Sequence, residues 1–170
     1  FAVTPHMLMY HLNIGHPVVD EGARFVAPIT DVLWASHDLK AQGVGYQTCP
    51  TPTHGFAEQV WQHELASDAD GQTSVAIMND RINFGVEVCA DLAQLPCFYQ
   101  WQNFQAGHYV MGLEPATHHV KGNQFARDRG EMIWLDAGEA RDYAISITVL
   151  DGADALADAE MRIRAIGPQP

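Results

Sequence analysis

The feature that most constrains this chain is a period of two. Along Asp142-Tyr143-Ala144-Ile145-Ser146-Ile147-Thr148-Val149, the residues Tyr143, Ile145, Ile147 and Val149 share one face and smaller residues the other. Alternation rich in β-branched residues is the mark of a half-buried strand. Runs of the same kind recur at 7–11, 23–29, 58–65, 73–78, 84–89, 97–104, 108–114 and 131–135. Turn signals separate them: Asp20-Glu21-Gly22, Asp68-Ala69-Asp70-Gly71, Asn79-Asp80-Arg81 and Asp136-Ala137-Gly138-Glu139. The turn ending in Asp70-Gly71 predicts a hairpin. Short strands with regular punctuation predict an all-β fold, an antiparallel sandwich or barrel. Two stretches depart from the period. Residues 36–57 hold Gly43, Gly45, Pro50, Pro52 and Gly55 and read as a long loop, of the kind that often carries function. Residues 153–166 are rich in helix formers and predict a C-terminal helix stopped by Gly167-Pro168.

With 170 residues the chain forms one domain, 1–170. Hydrophobic residues at 47% against 18% charged exclude a disordered composition. Nine Lys and Arg against 21 Asp and Glu give a net charge of −12. That sign opposes nucleic-acid binding, which needs clustered cations, and docking on anionic lipid. No apolar run approaches the ~18 residues of a membrane span. The three cysteines, Cys49, Cys89 and Cys97, have no CxxC spacing and fit a reducing, cytoplasmic setting, with one bridge plus one free thiol as the other arrangement.

Nine His in 170 residues is a high count. His6, His11 and His16 fall in one strand-like segment, where His11 and Asn13 point the same way. Asn13 can hold a substrate hydroxyl or fix the imidazole, although spacing alone favours a hydrogen-bonded core histidine. Asp20-Glu21-Gly22 reads on composition as a solvated turn. Glu58 stands where the long loop meets a strand, beside aromatics, and can receive sugar hydroxyls. Gln100-Trp101-Gln102-Asn103-Phe104 interleaves amides with aromatics. Amides form paired hydrogen bonds with vicinal hydroxyls and aromatic faces stack on sugar rings; an amphipathic edge strand explains the pattern equally well. Glu114 ends the apolar run Tyr109 to Leu113. A carboxylate there is expensive to bury, and desolvation raises its pKa toward the range of a general base. Pro115 is expected to end that strand and hold the carboxylate at the sheet rim, where a Glu facing water is the plainer alternative. His118 and His119, being adjacent, point to opposite faces of a strand. A metal site built from His11 and His119 with Glu58 or Glu114 is a minor alternative without a local motif. Ser36, Ser67, Ser74 and Ser146 lie in no Gly-flanked elbow.

Taken in order, five motifs resemble the aldose 1-epimerase (galactose mutarotase) superfamily, nearest a bacterial aldose-epimerase-like branch. They are Tyr10-His11-Leu12-Asn13, Asp20-Glu21-Gly22, Gly55-Phe56-Ala57-Glu58-Gln59-Val60, Leu95-Pro96 with Gln100-Trp101, and Gly112-Leu113-Glu114-Pro115. The resemblance covers most of residues 4–149. It implies a large antiparallel β-sandwich of the mutarotase type with a sugar cleft on one face, a catalytic His matched by His11 and a catalytic Glu matched by Glu114. The Glu takes the proton of the anomeric hydroxyl, the His protonates the ring oxygen, and the ring opens and recloses on its other face without a cofactor. Substrate contacts then fall to Asn13, Glu58, Gln100, Trp101 and His119, with more weight on Gln100 than on Trp101. Typical mutarotases carry Tyr-Phe-Asn where Leu12-Asn13-Ile14 follows here. The family's second active-site His lies upstream of the first, and its fold is nearly twice as long. The chain is thus expected to be the C-terminal portion of a longer sandwich, completed by an upstream segment or a second chain.

The expected activity is anomer interconversion on a free sugar or sugar acid by acid–base catalysis, an isomerase reaction. The alternatives are a sugar isomerase on the same scaffold, with metal assistance, and a non-catalytic carbohydrate-binding module. Because a base and an acid must flank one pyranose ring, His11 and Glu114 are expected to face each other across an open cleft, each about 2.6–3.2 Å from its substrate atom and without a direct hydrogen bond.

Overall fold

The computed structural model describes residues 2–167. The chain runs through β1 (Thr4–His6), β2 (Leu12–Gly15), β3 (Arg24–Val26), β4 (Ile29–Ala35), a 3-10 turn at Ser36–Asp38, α1 (Leu39–Gln42), β5 (Gln59–Leu65), β6 (Gln72–Asn79), β7 (Phe84–Asp91), β8 (Cys97–Asn103), β9 (Val110–Ala116), α2 (Gly122–Asp128), β10 (Ile133–Leu135), β11 (Ile145–Asp151) and α3 (Ala153–Ile166). A five-stranded sheet has the order β2-β9-β8-β5-β4, a four-stranded sheet the order β11-β7-β6-β3, and β1 pairs with β10. Every one of these pairings is antiparallel.

The two larger sheets pack face to face. Met111, Leu113 and Phe98 of the five-stranded sheet meet Val75, Ile77 and Val88 of the four-stranded one, with Phe25 and Phe104 in the same cluster. On the far side of the small sheet, α3 buries Leu156, Ala159 and Ile163, spaced three and four apart on one helical stripe, against Ala76, Met78 and Leu150. Gly85 permits that approach, because a Cβ there would stand 2.8 Å from the Ile77 carbonyl and 3.2 Å from Leu156. Glu87, 5% exposed on this side, takes hydrogen bonds from Ser74 (2.6 Å) and Arg162 (3.0 Å), tying α3 to the sheet through a compensated charge.

The strands expected near 58–65, 73–78, 84–89, 97–104 and 108–114 form within two residues of those limits. The C-terminal helix covers the expected residues; Pro168 of its stop lies outside the described residues. The Asp68–Gly71 turn is not a hairpin. It carries the chain from β5 in the large sheet to β6 in the small one, and the Asp68 side chain holds the bend by accepting from the backbone of Asp70 and Gln72. The true hairpin is the next one, β6 to β7, at Asn79-Asp80-Arg81. The segment 7–11 is irregular, with strands on either side of it. β4 forms in the stretch between the expected strand at 23–29 and the loop. Residues 36–42 of the expected loop are helical, anchored by buried Leu39. Ile147 and Val149 do lie on the inner face of β11, in register with Val88 and Val86, yet they are 55% and 60% exposed on what is the edge strand of its sheet.

Candidate active site

The register of the five-stranded sheet assembles the site. Asn13 pairs with Gly112, Gly112 with Trp101 and Trp101 with Val60, forming one row across the outer face. In the next row Glu114 pairs with Tyr99 and Tyr99 with Gln62. His11 lies two residues before Asn13 and so shares its face, directly across from Glu114. The Tyr10 amide donates to the Pro115 carbonyl (3.0 Å), so residues 10, 12 and 14 turn their backbone groups to β9 while His11 and Asn13 turn theirs to the free edge of β2. His11 and Glu114 therefore form a non-hydrogen-bonded cross-strand pair, the kind whose side chains stand closest together.

Pro115 does not end the strand as expected, since β9 continues through Ala116. In an antiparallel strand the amide and carbonyl of one residue point the same way, so the missing N–H of Pro115 falls on the side of β2. The Tyr10 carbonyl gets no donor from β9, and the regular ladder begins only at Leu12. Proline is tolerated inside this strand because the neighbouring one is irregular there.

His11 Nδ1 is 2.7 Å from Glu114 Oε1, with the His side chain 48% exposed and the Glu side chain 6%. The expected open cleft between them is thus absent: the two groups touch, the close cross-strand spacing being the reason. The approach lies off the ring N–H direction, and Oε1 remains buried with no hydrogen-bond partner. Burial pushes the Glu114 carboxyl up to about 7. The carboxyl lies over Gly112, where a Cβ would come within 2.7 Å of Oε1, 3.2 Å of the Trp101 Cβ and 3.5 Å of Asn13 Oδ1. Glycine at this position is what lets the carboxyl lie down on the sheet. Its place two residues before Glu114 on one strand was the available sequence signal.

Trp101 joins the pair, its ring centroid 5.7 Å from that of His11 at a tilt of 48°. Its indole N–H donates to Glu58 Oε2 at 3.2 Å, so exposed Glu58 reaches the site by holding the indole. Asn13 stands beside them, exposed. Gln100 is placed elsewhere. Amide and indole do alternate across β8, but the amide face is the inner one: Gln100 is 0% exposed, joins the His63 ring (3.0 Å) and donates to the Tyr46 carbonyl (3.0 Å). Its hydrogen bonding is consumed in the core, where burial also pushes His63 down to about 4. Trp101, given less weight from the sequence, is the member of the pair on the site face. His119 sits past the end of β9, where Gln62 Nε2 donates to its Nδ1 (2.6 Å) and Glu131 lies 3.6 Å from Nε2. It lines a separate cavity of about 790 Å³ bounded by neither His11 nor Glu114. The metal alternative loses its geometry: among the described residues no three His, Cys, Asp or Glu side chains converge to hold an ion. All three cysteines are free. No helix among the described residues is long and apolar enough to cross a membrane.

Residues 1–149 match a family described as a domain of unknown function (DUF4432). The chain belongs to that family. It is also similar to a crystal structure from Klebsiella pneumoniae described as a "putative aldose 1-epimerase", with a TM-score of 0.89 and 29% identity over 99% of the present chain. The chain spans 44% of the length of that protein. No curated protein matches. The architecture is therefore that of the aldose-epimerase-like superfamily. Of the five ordered motifs, three run onto β2, β8 and β9 of the five-stranded sheet, Gly55–Val60 leads into β5 of that sheet, and Asp20-Glu21-Gly22 lies in the turn before β3 of the other.

Proposed function

We propose that this chain carries the catalytic pair of an aldose-1-epimerase-like enzyme that interconverts the anomers of a sugar by acid–base chemistry. The observation that carries the reading is the buried Glu114 carboxyl, pushed up to about 7 and set against a half-exposed imidazole on a sheet face flanked by an indole. A group titrating near neutrality gives and takes a proton with little penalty in either direction, which a reversible ring opening requires at both ends. Glu114 removes the proton of the anomeric hydroxyl while His11 delivers one to the ring oxygen; on reclosure each step runs backward. Trp101 offers an apolar face to the ring and Asn13 an amide to a hydroxyl. The 2.7 Å contact means that the incoming sugar must part the pair and replace each group's partner.

That same contact favours one other reading, a carbohydrate-binding module in which Glu114 and His11 stay against each other and only Trp101 and Asn13 meet the sugar. NMR saturation exchange between anomers over a panel of aldoses separates the two. Catalysed exchange, reduced by a factor of roughly 10²–10⁴ in Glu114→Gln with binding retained, supports the enzyme. Sugar binding without catalysed exchange supports the module.

A further inference from the structure

The cavity of about 790 Å³ lies on the same outer face of the five-stranded sheet but apart from His11 and Glu114. Tyr99, 0% exposed and packed with Met9 and Val60, stands between them. Gln62 and Glu64 of β5 contribute to its floor, and His119, Glu131, Asp142 and Tyr143 come from the segments that follow β9 and β10. Its volume is within the range of small-molecule sites, roughly 300–1,000 Å³.

The lining groups are fixed rather than loosely solvated. The amide N–H of Gln62 occupies His119 Nδ1, so the neutral ring carries its proton on Nε2. Tyr143 stacks on His6 with centroids 5.7 Å apart, and its hydroxyl reaches His6 Nε2 at 3.1 Å. Glu131 uses Oε1 to accept from Arg129 at 2.5 Å, while its Oε2 is buried with no hydrogen-bond partner. The neighbouring donor, the His119 Nε2–H, stands 3.6 Å away, too far for a hydrogen bond, and a ligand that donates to Oε2 relieves the cost of its burial.

Charge and donor type select the ligand. Four carboxylates, Glu64, Glu131, Glu139 and Asp142, and one guanidinium, Arg141, line the cavity; Arg141 is 3.7 Å from Glu139, and Arg129 pairs with Glu131 from outside the lining, so the carboxylates still outnumber the cations. An anion is repelled. The carboxylates, the Gln62 and Gln94 amides and the His119 N–H supply acceptors and donors together, as vicinal hydroxyls require. We infer that this cavity is a second carbohydrate site, taking a neutral polyhydroxylated ligand on Glu131, Glu64 and the Gln62–His119 pair, separate from the His11–Glu114 centre.

Saturation-transfer NMR with methyl α-D-glucopyranoside and methyl β-D-galactopyranoside tests it, because locked glycosides cannot exchange anomers and report binding alone. The expected result is transfer to at least one glycoside in the native protein, part of which persists in Trp101→Ala, where the indole of the first site is gone. That part should fall at least five-fold in Glu131→Ala and also in Glu64→Ala, an exposed position whose replacement leaves the fold in place. Several results would overturn the inference: no transfer to either glycoside, transfer indifferent to both cavity variants, transfer lost in Trp101→Ala, or displacement by spermidine at lower concentration than by a second glycoside. None of these alters the anomer-exchange result at His11 and Glu114, so the two readings fail independently.

Discussion

Replacing Glu114 by Gln should change the pH dependence of folding stability as well as chemistry. A carboxyl raised in the fold from its ordinary 4.5 to about 7 is favoured there in its protonated form. Its contribution is therefore complete below about pH 4.5 and is lost as pH rises through 7, where the buried group must ionise. The rise corresponds to on the order of 3 kcal/mol at 1.36 kcal/mol per pH unit. Solvent arriving past the half-exposed His11 reduces this to about 1–3 kcal/mol. Glutamine has nearly the same shape and nothing to ionise. Urea denaturation of both proteins at intervals from pH 4.5 to 8.5 should give similar stabilities at the acid end. By pH 8 the native protein should have lost about 1–3 kcal/mol relative to the variant, most of it before pH 7.5. Parallel profiles would refute the reasoning, because they would mean that Glu114 ionises in the fold as easily as in the unfolded chain.

Three further outcomes follow from the same geometry. Gly112→Ala should destabilise by about 1–3 kcal/mol and lift the Glu114 carboxyl off the sheet, which ¹³C NMR titration of Glu114 would register as a fall in its pKa toward the ordinary value. Gln100→Leu should cost at least about 1–3 kcal/mol, since the Tyr46 carbonyl and His63 lose a buried partner, while sugar affinity measured by saturation transfer stays the same. Arg162→Ala should cost about 1–3 kcal/mol by leaving the buried Glu87 carboxylate without its cation, held by Ser74 and the weak Cys89 thiol donor, seen as a lower urea midpoint with an unchanged slope.

Most strands and the C-terminal helix were legible because period-two alternation and helix-forming composition act locally. Which sheet a strand joins is not local. The Asp68–Gly71 turn has hairpin chemistry, yet β5 and β6 part company there because each has better partners elsewhere, β4 and β8 for one and β3 and β7 for the other. The same limit applied to the site. Alternation correctly put Trp101 and Gln100 on opposite faces but could not say which face was inward. The answer came from Tyr46 in the long loop, whose carbonyl takes both Gln100 and Gln102 and whose ring tilts against Trp61 and His63. That His11 and Glu114 touch follows from hydrogen-bond phase along the β2–β9 pair, which no spacing in a single strand encodes. Gln62 and Glu131, which fix His119, belong to no motif and are visible only once the chain is folded.

Pro115 gives the pair a mechanical property. A sheet is stiff because each neighbour is laced to the next, and a residue mounted on it inherits that stiffness. His11 rides on a stretch where one lace is missing: the Tyr10 carbonyl has no donor from β9, and the backbone groups of His11 point to the free edge. Glu114 stands one residue away on a strand paired along its whole length with β8. The two halves of the contact are thus mounted differently, one on a rigid frame and one on a compliant arm. Opening the gap for a ring by moving the His11 arm works against the Tyr10-to-Pro115 hydrogen bond beside it, whereas moving Glu114 would unlace a strand paired along its whole length.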